Sequence, residues 1–358
     1  MIEYNKCKLY GLTTKRQLAK YLSKISVSKI RKHEFFLHRI KPAVVDGKRL
    51  IEAPTRLLKD MQKIILNDFK NLDIPENVFS GIKKRSYIMN VSQHIGKNHF
   101  MKIDLSKFFP HIKRDRVYRF YKDKFNLPSD LAEILTNLST INIEQIDTGK
   151  FSTKQLEDYA NAKDFMVDKK IKVKDHLITG SRISPILSYL VNEEMFNEIQ
   201  NYCDSNQITF SIYVDDMAFS SKKKITQNHK HQIYGIINKF GYPINKSKTK
   251  IIDINDWKHI TGGEIDKQGK LKCPKKLELK LRTYNAEFKK GNFANIDKLR
   301  GLIVAMYQIE PEKYEFLYNT IMKKYSKLKR LKNQEQSWFF IYKFSCLGTI
   351  KINYYRQD

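Results

Sequence analysis

The sequence is short of acid, of cysteine and of long apolar runs, and each shortage excludes a class of protein. No window approaches the ~20 consecutive apolar residues of a membrane-spanning helix, so neither a span nor a membrane partner is expected. The first residues, Met1-Ile2-Glu3-Tyr4-Asn5-Lys6-Cys7, carry neither the apolar run nor the small-residue cleavage site of a secretory signal, which makes the cytoplasm the expected location. The four cysteines, Cys7, Cys203, Cys273 and Cys346, form no CxxC pair and no cluster with histidine. That argues against a zinc ribbon or a disulfide framework and for reduced structural thiols. Acids number 38 against 67 lysines and arginines, a formal charge of +29. A compact chain so charged repels itself unless its usual partner is a polyanion that releases counterions on binding, so nucleic acid is the expected partner.

What is present can fold. An apolar share of 41% is ordinary for a globular protein, and 358 residues are enough for two or three domains or one multi-lobed one. Residues 14–40 read as largely helical, with Thr14 as a cap before Leu18, Tyr21, Leu22 and Ile25. Residues 44–54 read as a hairpin around Asp46-Gly47, and 57–69 as a helix. Residues 100–112 hold a short apolar strand that ends in Asp104 and runs into an aromatic turn. Residues 208–220 form two β-rich runs separated by Val214-Asp215-Asp216, a hairpin with acids at its tip. Between these acids, residues 184–200 read as one amphipathic helix with Pro185 in its first turn. Residues 140–176 are polar and lysine-rich, which suggests an insertion or a mobile loop. From about residue 273 the chain turns Lys-, Leu- and Tyr-rich with helical spacing through Leu277, Leu281, Tyr284 and Phe288 and again through Leu299, Ile303 and Met306. There is no internal repeat.

Two acids side by side are common in solvated turns. Here Tyr213-Val214 and Met217-Ala218-Phe219 surround them with apolar strand, and carboxylates held beside a hydrophobic sheet want cations. Oxygen ligands on neighbouring strands suit hard Mg²⁺, and nucleotidyl transfer uses two such ions about 3.5–4 Å apart.

Tyr213-Val214-Asp215-Asp216 resembles the Tyr-x-Asp-Asp signature of reverse transcriptases, and Asp104-Leu105-Ser106-Lys107-Phe108-Phe109 resembles their first catalytic motif. Gly180-Ser181-Arg182-Ile183-Ser184-Pro185 lies between them, where the family has a template- and nucleotide-positioning motif. Arg49-Leu50-Ile51-Glu52-Ala53-Pro54 with Leu58-Lys59 and Gln62 resembles the fingers of bacterial members, and Asn245-Lys246-Ser247-Lys248-Thr249-Lys250 a later lysine motif. Asn90-Val91-Ser92-Gln93-His94 and Ile260-Thr261-Gly262 resemble the Asn-Ala-x-x-His and Val-Thr-Gly elements of retron reverse transcriptases, each with one apolar change.

The resemblance implies an α+β right-hand polymerase. Its fingers and N-terminal helices would span 1–95, a palm with an antiparallel sheet 96–265, including the insertion at 140–176, and a basic helical thumb 266–358. It implies Asp104, Asp215 and Asp216 as catalytic acids and Asp104, Leu105, Asp215 and Asp216 as the set for two Mg²⁺ ions, with Mn²⁺ as a possible substitute. Asp104 and Asp215 would bridge both ions and Asp216 would be peripheral. It implies Phe109, five positions after the first acid, as the residue that rejects a 2′-hydroxyl, against the alternative of a core aromatic beside Phe108.

Arg49 and Lys48 are candidates for the triphosphate, or else exposed hairpin charges. Lys248 is a candidate for the pyrophosphate, or else part of a basic face. Gly180 allows close approach to a base pair, while Thr179 stands where many members have Gln. Asn90, His94, Thr261 and Gly262 mark the retron family; Asn90 and His94 are either nucleic-acid contacts or buried, satisfied polar groups. Tyr314, Tyr318, Tyr325, Trp338, Tyr342 and Tyr354-Tyr355 among lysines suit structured RNA or are core.

The implied activity is RNA-templated deoxynucleotide addition in a bacterial cytoplasm. The implied partners are dNTPs, a structured non-coding RNA serving as template and 2′-hydroxyl primer, its branched DNA product, and an effector protein in defence against bacteriophage. The rivals are another bacterial defence or group II intron-like reverse transcriptase and, from a different class, a non-catalytic RNA-binding scaffold.

Overall fold

The computed structural model describes residues 2–23, 25–30, 36 and 39–345, with side chains through residue 328. They divide into two compact units between Lys270 and Leu271. No described helix is long and apolar enough to cross a membrane.

In the first unit, Thr14 caps the helix Lys15–Leu22 in a reciprocal capping box with Gln17, and Ser23 ends it in the left-handed conformation. The helical reading of 14–40 is thus interrupted; Val27–Ile30 is a separate turn of helix, and much of 31–38 lies outside the described residues. Strands β1 (Ile40–Val45) and β2 (Arg49–Pro54) make the expected antiparallel hairpin, with Asp46 and Gly47 both at positive φ in its turn. The helix Arg56–Asp68 follows and buries Leu58, Met61 and Ile65.

The main sheet contains β3 (His99–Asp104). Further along, β4 (Thr140–Asn142) pairs with β5 (Asp175–Leu177) in a small sheet of its own. Strands β6 (Thr209–Tyr213), β7 (Asp216–Ser221) and β8 (Lys250–Ile252) complete the main sheet in the order β6-β7-β3-β8, antiparallel throughout. Because side chains alternate along a strand, its two faces differ in character. Met101, Ile103, Phe210, Ile212, Met217 and Phe219 line one face and are buried in a core with Leu187, Met195, Phe196 and Ile199. The opposite face carries Lys102, Asp104, Ser211, Tyr213, Asp216 and Ser220. A further hairpin, β9 (Lys258–Ile260) and β10 (Gly263–Ile265), packs on the helix Tyr87–Ser92: a Cβ on Gly263 would come within 3.0 Å of Val91.

Two sequence expectations are corrected. Residues 140–176 are not a loop: between β4 and β5 lies the helix Thr153–Asp168, capped by Ser152 and Gln155 in a capping box. Only Ala162 and Met166 of that helix are buried, so its apolar stripe is too thin to show in the sequence. The helix expected over 184–200 is two, Ser184–Leu190 and Glu193–Ser205. The break is at Asn192, whose amide nitrogen donates to the Ser188 carbonyl at 2.8 Å while its oxygen accepts from Arg116 (2.6 Å) and Tyr242 (2.6 Å).

The second unit contains the helices Lys275–Lys289, Ile296–Ile309 and Pro311–Ser345. Leu281, Leu299, Ile303, Met306 and Ile321 form its buried seam. Tyr314 is buried and donates to Glu278 (2.8 Å), Tyr318 stacks on Tyr307 at 4.3 Å, and Tyr325 donates to Asp297 (2.9 Å). Tyr314 is therefore part of the core, while Tyr318 and Tyr325 are partly exposed and partnered within the unit. Tyr354 and Tyr355, and the side chains of Trp338 and Tyr342, lie outside the described residues.

A buried ion pair ties the β1–β2 hairpin to β5. His176 Nε2 lies 2.8 Å from Glu52 Oε1, and both side chains are fully buried. Burial pulls the His176 pKa down, but the Glu52 charge and hydrogen bond outweigh it, so the value stands above that of an ordinary histidine. The stability this pair adds is complete below the unfolded-state value of about 6.5 and is lost as pH rises through the higher folded-state value. The melting temperature of wild type should therefore exceed that of His176→Gln by more at about pH 6 than at about pH 9. A gap independent of pH would refute the charged pair.

Candidate active site

The β3–β7 register decides where the acids meet. Asp104 and Asp216 are direct cross-strand partners at the same end of the sheet. Tyr213 partners Asp216 across β6–β7, which leaves Val214 and Asp215 as a two-residue turn. Val214 has φ +62°, a position such turns usually give to glycine, and a β-branched residue there is strained by on the order of 1–3 kcal/mol. The turn is held from the β3 side as well. Leu105 N donates to the Asp215 carbonyl (3.1 Å), and Asn245 N donates to the Asp104 carbonyl (2.8 Å). Leu105 is buried through its side chain, so only its backbone carbonyl is suited to serve a cation.

The carboxylates stand close enough to perturb one another. Asp104 is only 4% exposed, and burial raises its pKa, as does Asp216, while Lys248 draws it back. Asp215 is pushed up to about 6, first by burial and then by the charges of Asp216 and Asp104. Two lysines balance the cluster: Lys248 Nζ lies 3.1 Å from Asp104 Oδ1, and Lys102 Nζ lies 2.9 Å from Asp216 Oδ1. Lys102 was not singled out from the sequence. Its signal is its place two residues before Asp104 in an apolar strand, which puts it on the face of the acids.

Three converging carboxylates, two of them resisting ionisation, fit the demand of a hard divalent cation for oxygen ligands and would be relieved by one. Among the described residues no three side chains are arranged as a metal cage, and lysines pair with two of the acids.

The other predicted residues do not join this centre. Phe108 is buried, with Tyr242 edge-on at 5.2 Å, whereas Phe109 is the half-buried outer ring, centred 6.2 Å from Phe108. Lys48 and Arg49 are exposed at the turn of the β1–β2 hairpin, and among the described residues no ion pair links them to the acids. Thr179 faces the hairpin. Its amide and hydroxyl both donate to Glu52 Oε2, at 2.9 and 3.1 Å. Gly180 is required by the same contact, for a Cβ there would stand 2.6 Å from the Glu52 carbonyl oxygen. Glu52 thus holds the turn where the family has its Gln-Gly, and in the sequence it is only a lone acid in an otherwise apolar strand. Asn90 and His94 are fully buried, and the Asn90 amide donates to Thr261 Oγ1 at 3.2 Å. Gly262, at φ +87°, lies against the Tyr87 ring.

Removing one charge from a crowded trio should stabilise the fold. Asp215→Asn is expected to unfold on the order of 1–2 kcal/mol less readily than wild type in EDTA, measured by denaturant titration. A variant less stable than wild type would show that the acids do not strain one another.

Comparison with known proteins bears on the family of the chain. Residues 30–276 match the model of the reverse transcriptase (RNA-dependent DNA polymerase) family. The chain is 27% identical over 297 residues to the retron Ec83 reverse transcriptase of Escherichia coli, covering 78% of this chain and 87% of that one. It is 24% identical over 280 residues to the retron Ec86 reverse transcriptase of the same species, covering 77% and 76%. Among solved structures, a telomerase from Candida albicans aligns with a TM-score of 0.40 and 13% identity over 89% of this chain, which spans 62% of the telomerase chain. The matched family model takes in β1 to β10 and all three carboxylates, and the chain belongs to the reverse transcriptases, as an RNA-directed DNA polymerase of the retron type.

Proposed function

We propose that this reverse transcriptase copies a cognate structured non-coding RNA into single-stranded DNA, extending from a 2′-hydroxyl of that RNA to give a branched product, and that it works with an effector protein in defence against bacteriophage. The convergence of Asp104, Asp215 and Asp216 at one end of the sheet carries the catalytic part of this reading. The similarity to retron enzymes supports the part about RNA and defence.

In this reading residues 1–95 are fingers, 96–265 the palm and 266–358 the thumb. The three aspartates, with the Leu105 carbonyl, would hold two Mg²⁺ ions or their Mn²⁺ substitutes, which would supply activation of the attacking hydroxyl and charge stabilisation of the leaving pyrophosphate. The chain's own residues supply the rest. Lys248 and Lys102 offset the negative charge of the acids and stand beside the path of a triphosphate. Arg49, with Lys48, is placed on the hairpin to bind phosphate oxygens, its planar fork suiting two of them at once. Phe109 offers its open face to the sugar, so the substrate is a dNTP. Glu52 fixes the Thr179-Gly180 turn, whose backbone then meets the nascent pair in one position.

A primer-extension assay on primed RNA with Mg²⁺ and dNTPs tests this. Wild type should extend and Asp215→Ala should lose at least about 1,000-fold in rate, as happens when a principal electrostatic element is removed. Extension by Asp215→Ala at the wild-type rate would refute the assignment of the acids. Phe109→Ala should lower discrimination against ribonucleotides by on the order of 100-fold, and unchanged discrimination would return Phe109 to the core. Sequencing the RNA that co-purifies should yield one structured species; a random population would sink the cognate-RNA reading.

A further inference from the structure

A chain of buried polar groups runs from the β9–β10 turn to the middle of the hairpin that carries Asp215 and Asp216. Asn90 Nδ2 donates to Thr261 Oγ1 at 3.2 Å, and Asn90 Oδ1 accepts from Ser211 Oγ at 2.5 Å. Ser211 Oγ also meets His94 Nε2 at 2.7 Å, and His94 Nδ1 meets Ser220 Oγ at 2.8 Å. Asn90, His94 and Ser211 are fully buried and Ser220 is 2% exposed. The residues joined are 117 to 171 positions apart in sequence, so the chain is tertiary and not an accident of local geometry.

The hydrogens can be placed by elimination. Ser211 has one hydroxyl proton and gives it to Asn90, so its oxygen must accept from His94, which puts the imidazole proton on Nε2. Burial keeps His94 neutral, with its pKa pulled down to about 3, so Nδ1 is an acceptor and Ser220 is its donor. Every link then points the same way, from Ser220 through His94, Ser211 and Asn90 to Thr261. No member carries a spare hydrogen toward another.

The placement of the two serines gives the chain its consequence. Ser211 lies on β6 and Ser220 on β7, so both strands of the hairpin are tied. By alternation both serines project on the face that carries Asp216 and Tyr213. The free edge of β6 is held separately, by Ile212 N donating to the Asn77 carbonyl (2.8 Å) and Phe79 N to the Ile212 carbonyl (3.0 Å). Edge bonds fix the hairpin within the sheet plane, and the serine bonds fix it along the direction normal to that plane.

We propose that Asn90, His94, Ser211 and Ser220 are positioning residues for nucleotide addition, their hydrogen-bond chain setting the height of Asp215 and Asp216 relative to Asp104. The inference rests on the assignment of Asp215 and Asp216 as catalytic acids. It gives the family-marking residues of the 87–98 segment and of the Thr261 turn a common task.

The test is single-turnover nucleotide incorporation with the full chain in excess over a primed RNA template, a rate that does not depend on the fraction of enzyme folded. Ser211→Ala should slow incorporation by about tenfold while leaving the half-saturating dNTP concentration within about twofold, because the nucleotide's own contacts are untouched. An incorporation rate within about twofold of wild type would overturn the proposal, as would a loss expressed wholly in dNTP affinity. Should Ser211→Ala fail to fold, Thr261→Val keeps the branched shape at the partly exposed end of the chain and removes only the acceptor for Asn90. It should slow the step several-fold, and an unchanged rate there overturns the proposal equally. Asp215→Asn in the same assay separates the two claims. If it is inactive while Ser211→Ala is normal, only the positioning chain falls; if it is active, the carboxylate assignment falls and the proposal with it.

Discussion

The cross-strand partnership of Asp104 with Asp216 is the constraint on which the rest depends. Two carboxylates set opposite each other, with a third one residue away in a strained turn, repel one another and lose water as the sheet closes round them. Such an arrangement persists only if the surrounding structure over-determines it. The structure does so in layers. Backbone bonds from Leu105 and Asn245 clamp the strand ends, Lys102 and Lys248 offset the charge, and an apolar face packed on two helices anchors the sheet from behind. Local stability has been given up at the acids and recovered in the core beneath them.

Much of this was legible. The alternation in 100–104 and 208–220, and the acid at the end of each apolar run, specify two strands whose ends meet, and the structure pairs them in that register. Asp46-Gly47 specifies its hairpin and Thr14 its helix start because turn and cap chemistry is local. The failures have a common physical origin. The helix Thr153–Asp168 buries so few side chains that periodicity could not betray it, although its capping pair Ser152 and Gln155 could have. The break at Asn192 depends on Arg116 and Tyr242, which sequence order places far away. Lys102 is readable from strand parity, but a general excess of lysine masks that signal.

Glu52 illustrates the same limit from the other side. In the sequence it is one charge in an apolar strand, and nothing local says that it is buried against His176 and the Thr179-Gly180 turn. Once those contacts exist, the departure from the family's usual Gln has a physical account. A shorter side chain at 179 reaches a carboxylate supplied by the hairpin, so the turn is braced from the protein side. The hairpin that carries Arg49 and the Thr179-Gly180 turn are then joined through Glu52.

The buried chain through Ser211 raises the question of why a polar network occupies a place where apolar side chains would pack. Apolar replacement of such groups is often neutral or stabilising, so stability alone does not explain it. Directional bonds do what dispersion cannot: they fix one height and one register, because a hydroxyl at 2.5–2.7 Å from its partners tolerates little sliding. On the opposite face of the same sheet, Met101, Met217 and Phe219 provide adhesion with no such definition. If the three acids are the catalytic set proposed above, they must meet a substrate that changes at every cycle, and the face that holds them is the one on which definition matters. The division of the sheet into an adhesive side and a defining side follows from that requirement, and it locates the family-marking residues on the defining side.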